Sequence, residues 1–218
     1  MKKVETALKA EAVPMYQLKV ELAGTEPPVW RRLLVRGDMT LGLLHAVIQV
    51  AMGWTNSHLH QFTIGNVGYS DPRMDQDMGP DQPPDRDEGK TTLIEAVPQE
   101  KAELVYEYDF GDSWEHLITV EKMHDPDAAS KGFAKCLDGG RACPPDDCGG
   151  VGGYADLLEV IKNPKHEEHE SMMEWLGGKF DPEAFDIKKT NTYLRKLKWP
   201  RTTEGQLAAV LMKRDGVS

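Results

Sequence analysis

Residues 103–122 read ELVYEYDFGDSWEHLITVEK, and the reading of this stretch decides the fold. Leu104, Tyr106 and Tyr108 alternate with polar residues before its centre, and Trp114, Ile118 and Val120 do so after it. Period-two alternation is the pattern of a strand with one buried face. Phe110-Gly111-Asp112-Ser113 is a turn composition whose glycine is free to take a positive φ. The stretch therefore predicts a β-hairpin with strands over Glu103–Tyr108 and Trp114–Lys122. A hairpin explains the glycine and one aspartate. It does not require Asp109, Trp114 or His116, which become candidates for the wall of a binding site together with Asp112.

Asp109-Phe110-Gly111 also spells the magnesium-binding triplet of protein kinases. A kinase needs a glycine-rich phosphate loop, a strand lysine and a catalytic H-R-D upstream of that triplet. The sequence before Asp109 contains none of them, so the kinase reading fails.

Upstream of the hairpin, Met15–Leu22 and Val29–Val35 read as strands broken by Pro27-Pro28. Asp38 or Thr40 then caps a helix whose buried face is Leu41, Leu44, Val47, Ile48 and Ala51, and Gly53 ends it. This β-β-α opening is similar to the start of a β-grasp fold. His58–Ile64 predicts a strand, with Gly65-Asn66 as a hairpin turn. Residues 71–90 are rich in Asp, Pro and Gly and predict a flexible acidic loop. Thr92–Ala96 reads as a short strand. Residues 136–153 read as an irregular loop, and helices follow around Tyr154–Ile161, around Met172–Leu176, after an Asp181-Pro182-Glu183 cap, and after Asp186. Strands in the first half and helices in the second predict one α+β domain over 15–200 with a mixed or antiparallel sheet. Residues 1–14 and 201–218 read as tails, the latter with a short helix around Leu207–Met212.

The chain has 218 residues and a formal charge of −10, which argues against broad nucleic-acid binding. The charge is uneven: Asp71–Glu88 holds seven acids and two arginines, whereas Asp186–Arg201 holds six basic residues and one acid. A basic helix over 187–201 leaves a nucleic-acid partner open. No apolar run reaches the length of a membrane span, and the N-terminus lacks the apolar core of a secretory leader, so a cytoplasmic protein without membrane contact is expected.

Two clusters have the residue types of a metal site. His58 and His60 share one face if they lie on a strand, His116 from the hairpin offers a third imidazole, and Asp109 or Asp112 could orient an imidazole or ligate directly. The alternative is that these histidines merely line a core edge. Cys136, Cys143 and Cys148 fall at C-x6-C-x4-C, without the C-x2–4-C pair usual for structural zinc; the alternative is that they pack inside a rigid Pro/Gly loop. Zinc is the metal such ligands would take. Gly150-Val151-Gly152-Gly153-Tyr154-Ala155 lacks the preceding strand of a dinucleotide site. His166-Glu167-Glu168-His169 is one residue short of the metalloprotease spacing.

In order along the chain, VWRRLLV, GWTNSHLHQFTI, YEYDFGDSWEHLITVE, RACPPDDCGGVGGY, EWLGGKFDPEAFD and NTYLRKL resemble the plasmid pRi ORF-3-like family over about residues 15–200. Some members of that family are described as passenger proteins of insertion elements. The resemblance implies an α+β protein, possible association with plasmids or mobile elements, and no catalytic role for any residue. The expectation is a cytoplasmic module that binds an unidentified protein or small molecule. Its site would lie where the His58/His60 segment, the Asp109–His116 hairpin and the cysteine loop meet. The alternatives are a metal-dependent hydrolase or other metalloprotein using His58, His60 and His116, and a nucleic-acid accessory protein acting through helix 187–201.

Overall fold

The structure is a computed structural model that describes residues 13–73, 84–126 and 132–215. The N-terminal tail up to residue 12 and the centre of the acidic loop, residues 74–83, lie outside the described residues. Chain order is β1 (Met15–Leu22), β2 (Trp30–Arg36), α1 (Leu41–Met52), β3 (His60–Ile64), β4 (Val67–Ser70), β5 (Arg86–Asp87), α2 (Leu93–Ala96), β6 (Glu103–Tyr108), β7 (Trp114–His124), β8 (Ala134–Gly140), α3 (Gly150–Lys162), α4 (His169–Trp175), α5 (Ile187–Leu194) and α6 (Glu204–Asp215).

The strands form one eight-stranded sheet in the order β5-β4-β3-β6-β7-β1-β2-β8. Every neighbouring pair is antiparallel except β4 and β5. The predicted hairpin is its centre: β6 and β7 pair with Tyr108 opposite Trp114 and Tyr106 opposite His116. The β-β-α opening is also present, but the other neighbour of β1 is the antiparallel β7, and from there the path is its own.

One face of the sheet is dry and the other is wet. Tyr16, Leu18, Val20 and Leu22 of β1, Leu104, Tyr106 and Tyr108 of β6, and Trp114, Ile118 and Val120 of β7 are all buried, as alternation requires. The intervening residues carry polar links, such as the paired Arg32–Glu121 contacts at 2.7 and 2.9 Å, with Gln17 also donating to Glu121. Helix α1 lies over the dry face. Thr40 caps it by accepting from the Leu43 amide, and eleven of its twelve residues are buried. A helix buried all round needs a second cover. Helices α5 and α6 supply it, tied down where Arg214 donates to the Gln49 carbonyl and Tyr193 to the Lys213 carbonyl.

The elements depart from the sequence reading in seven places, two of them at Arg86–Asp87, which pairs as β5 inside the expected acidic loop beside the buried Glu88, and at Gly150, where α3 starts four residues before Tyr154. Thr92–Ala96 is one helical turn, because Glu95 reaches back to the Thr92 amide and hydroxyl in a capping box. The cysteine segment is not loop throughout: Ala134–Gly140 is edge strand β8, with Cys136 buried against the core. Asp181-Pro182-Glu183 forms a turn in which Asp181 accepts from the Glu183 amide, and the helix starts only after Asp186, which accepts from Lys188 and Lys189. Residues 204–215 form a full helix whose Leu207, Val210 and Leu211 are buried. Finally, β3 begins at His60, so His58 lies before the strand and the two imidazoles do not share a face by alternation.

Candidate functional site

The site is built on the dry face at the end of the central strands. Antiparallel register places His60, Tyr108 and Trp114 in one row across β3, β6 and β7, and Phe62, Tyr106 and His116 in the next. Trp54, just past the end of α1, lies 5.1 Å from Tyr108 and 5.3 Å from Trp114 between ring centroids.

His116 is fully committed within this layer. Its Nε2 accepts from the Trp54 indole at 3.1 Å, so Nδ1 carries the proton and donates to the Tyr106 carbonyl. Burial pushes its pKa down to about 4, which keeps the ring neutral. His60 is committed as well. It stacks on His45 at 3.5 Å between centroids and pairs through Nε2 with Glu88 at 3.0 Å. His45 belongs to a closed ring of four hydrogen bonds. The Asn56 amide donates to Gln49, Gln49 to the Tyr106 hydroxyl, Tyr106 to His45 Nδ1, and His45 Nε2 to Asn56. Burial lowers His45 to about 3 and His60 to about 4, and raises Glu88 to about 7.

His58 stands apart from these two histidines. Its Nε2 is 3.3 Å from Asp147 Oδ1 and 3.6 Å from Asp109 Oδ2. Neither contact has hydrogen-bond geometry, so this buried nitrogen has no partner. The Asp109 side chain is only 10% exposed. Its Oδ1 accepts from the Gly111 and Asp112 amides, which fixes the turn and turns Oδ2 toward His58. Asp112 Oδ2 in turn accepts from the Gly149 amide, and a Cβ on Gly150 would stand 2.5 Å from the Asp112 carbonyl oxygen. Hairpin turn and cysteine loop are thus docked backbone to backbone. On the far side Thr55 donates to Asp146 Oδ2, and the Ser57 amide donates to the Tyr108 hydroxyl. Burial raises the pKa of Asp146, and its Oδ1 has no partner; nor has the fully buried indole nitrogen of Trp114. Beside this cluster a cavity of about 270 Å³ is lined by Asp147, Cys148, Leu157, Met172 and Trp175.

The structure therefore brings His58, Asp109 and Asp112 together with the cysteine loop, with Trp114 beneath, and seats His60 and His116 in the adjoining hydrogen-bonded layer. Among the described residues, the one set of three metal-type side chains that converges is His58, Asp109 and Asp147, whose ligand atoms lie within 4.8 Å of one another. The cysteines do not join it. All three are free: Cys136 donates to the Asp138 carbonyl, Cys143 sits against Gly53, and Cys148 borders the cavity. Burial raises the Cys136 thiol to about 11 and the Cys148 thiol to about 12, so they stay protonated at neutral pH. Sequence reasoning missed Thr55 and Asp146, and also His45 and Glu88. His45 and Gln49 are polar residues four apart on an otherwise apolar helix face, which was the available sign. Glu88 is hidden by its acidic surroundings in the sequence.

Fold and site define an α+β protein with a one-sided antiparallel sheet and a polar cleft where the central hairpin meets a glycine-rich loop. Within that class the chain belongs to the plasmid pRiA4b ORF-3-like protein family, whose model matches residues 14–189. It is 38% identical over 189 residues to the uncharacterized protein y4hQ of Sinorhizobium fredii, covering 85% of this chain and 94% of that one. It is also similar to the crystal structure of MM3350, a protein of unknown function from Methanosarcina mazei, with 36% identity and a TM-score of 0.70. That match covers 81% of this chain and 97% of the other. No helix among the described residues is long and apolar enough to cross a membrane.

Proposed function

We propose that the chain is a binding module whose ligand seat is the cleft between Thr55–His58, the Asp109–Ser113 turn and Asp146–Cys148. One observation carries this reading: among the described residues, His58 Nε2, Asp146 Oδ1 and the Nε1 of Trp114, the strand residue directly after the turn, are buried polar atoms with no hydrogen-bond partner. Buried polar groups are paired in the great majority of cases, so three orphans in adjoining segments mark a place where a ligand completes the bonding. The adjoining cavity gives that ligand an apolar wall of Leu157, Met172 and Trp175. Cytoplasmic location and association with a mobile element accord with the family but add nothing to the chemistry of the seat.

A melting-temperature survey tests the reading, using a panel of carboxylates, nucleotides and divalent cations against wild type and His58→Ala. At least one compound is expected to stabilise wild type, and to do so much less in the variant. A panel in which every stabiliser acts equally on both proteins defeats the reading.

A second reading has one observation behind it. A basic hollow of about 430 Å³ is lined by Lys135, Lys188 and Arg195 with no acid among its lining residues. It supports a nucleic-acid partner at α5. Anisotropy with a labelled single-stranded oligonucleotide should show salt-sensitive binding that Lys188→Ala and Arg195→Ala weaken. No binding even at low salt rules this partner out.

A further inference from the structure

The strongest unclaimed feature is the His58–Asp109–Asp147 set itself, and its dimensions say what it is for. A tetrahedral ion with bonds of about 2.1 Å spaces its ligand atoms about 3.4 Å apart. The two separations from His58 Nε2, 3.3 and 3.6 Å, fall on either side of that edge, and the third pair of ligand atoms lies within 4.8 Å. An octahedral ion at the same bond length needs edges of about 3.0 Å, shorter than either. The donors are also held in place. Asp109 is nine-tenths buried and is fixed by two amides on its other oxygen, so its Oδ2 points at His58 with no hydrogen bond of its own. His58 Nε2 is within reach of two carboxylates and bonded to neither. An ordinary ion pair would have turned its N–H onto one of them.

The charge around the set points the same way. Asp109, Asp146 and Asp147 lie around one imidazole, Asp112 belongs to the same turn as Asp109, and among the described residues no lysine or arginine pairs with any of the four. Such a group of carboxylates favours a cation between them. One nitrogen and two oxygens form a mixed donor set suited to first-row transition metals; calcium and magnesium prefer oxygen alone.

We propose that His58 Nε2, Asp109 Oδ2 and Asp147 Oδ1 bind a divalent first-row transition metal of the zinc type. Three protein ligands leave a fourth position for water or an anionic ligand group, beside the cavity that Asp147 helps to line. The proposal rests on the reading of the cleft as a ligand seat, and it differs from the ligand set expected from sequence by leaving out His60 and His116 and pairing His58 and Asp109 with Asp147.

The test is calorimetric titration of untagged, chelator-treated protein with zinc, manganese and magnesium in separate runs. The expected result is one equivalent of zinc, bound at least about 100-fold more tightly than manganese or magnesium. Asp147→Asn should weaken it at least tenfold and His58→Ala should abolish it, whereas His166→Ala, on an unrelated surface, should leave it unchanged. The Asp147 side chain is 74% exposed, so its variant keeps the fold and guards against a trivial loss in His58→Ala. No saturable zinc binding, or equal zinc affinity in wild type, Asp147→Asn and His58→Ala, overturns the metal. If the metal fails while a compound from the melting survey still depends on His58, the seat survives without it. If both fail, the seat falls too.

Discussion

At the scale of the residue, the buried charges decide more than the buried apolar groups. Arg31 is 2% exposed, on the dry face of β2, with no carboxylate partner among the described residues. Its guanidinium instead donates to the carbonyls of Ala51 and Met52 at the end of α1, and to those of Trp30 and Gly140, with its face 4.2 Å from Phe185. The negative end of the helix dipole and four carbonyl oxygens stand in for a counter-ion. Truncation would strand those carbonyls in the core. Arg31→Ala should therefore cost at least about 3 kcal/mol in urea unfolding, and Arg31→Lys should recover only part of it, since an ammonium cannot reach all four. A loss under about 1 kcal/mol would mean that the carbonyls find water instead. Alternation along Val29–Val35 puts Arg31 on the face of Leu33 and Val35, but its four carbonyl partners come from α1, β2 and β8 packing that the sequence does not show.

At the scale of the element, the decisive joint lies between the hairpin turn and the N-terminus of α3. Gly150 has φ +66° and would place a Cβ 2.5 Å from the Asp112 carbonyl oxygen. Gly150→Ala should push the two apart, cost roughly 1–3 kcal/mol, and weaken any ligand that needs Asp109 and Asp147 together. Gly152→Ala, where a Cβ meets open space, should be close to neutral in the same thermal and ligand-binding measurements. The strands and α1 were legible because alternation and helical spacing both report burial directly. Edge strand β8 was not, because Lys135-Cys136-Leu137-Asp138-Gly139-Gly140 has too little alternation. Its structure comes from β2 on one side and from Asn191 of α5 on the other, whose side chain bonds both the amide and the carbonyl of Cys136. The capping box of α2 was present in the letters Thr92 and Glu95 and was outweighed by the β-branched composition around it.

At the scale of the whole molecule, the layer of buried histidines sets how stability depends on pH. His45, His60 and His116 are held at about 3, 4 and 4, below their unfolded value near 6.5, so the unfolded chain takes up their protons first and stability falls as pH drops below about 6.5. Glu88, held at about 7, works the other way: the folded state keeps a proton that the unfolded chain loses above about 4.5. Three groups against one leave a net two protons, or up to about 2.7 kcal/mol per pH unit between pH 5 and 6. Glu88→Gln removes the opposing group, so its loss of stability from pH 6 to pH 5, read from urea midpoints, should be steeper than that of wild type. An equal slope would show that the buried carboxyl is ionised in the fold. The three segments stood out in the sequence by residue type and lie side by side in the structure, but only side-chain directions separate His58 from His60 and His116. The most direct measurement on the cleft is the ¹H–¹⁵N spectrum of the five tryptophan indoles during a zinc titration, with Trp114 assigned through Trp114→Phe. The account predicts that the Trp114 indole and the Gly149 and Gly150 amides move together and saturate at one equivalent while the Trp199 indole stays still; movement confined to Trp199 and α5, or none at all, would contradict it.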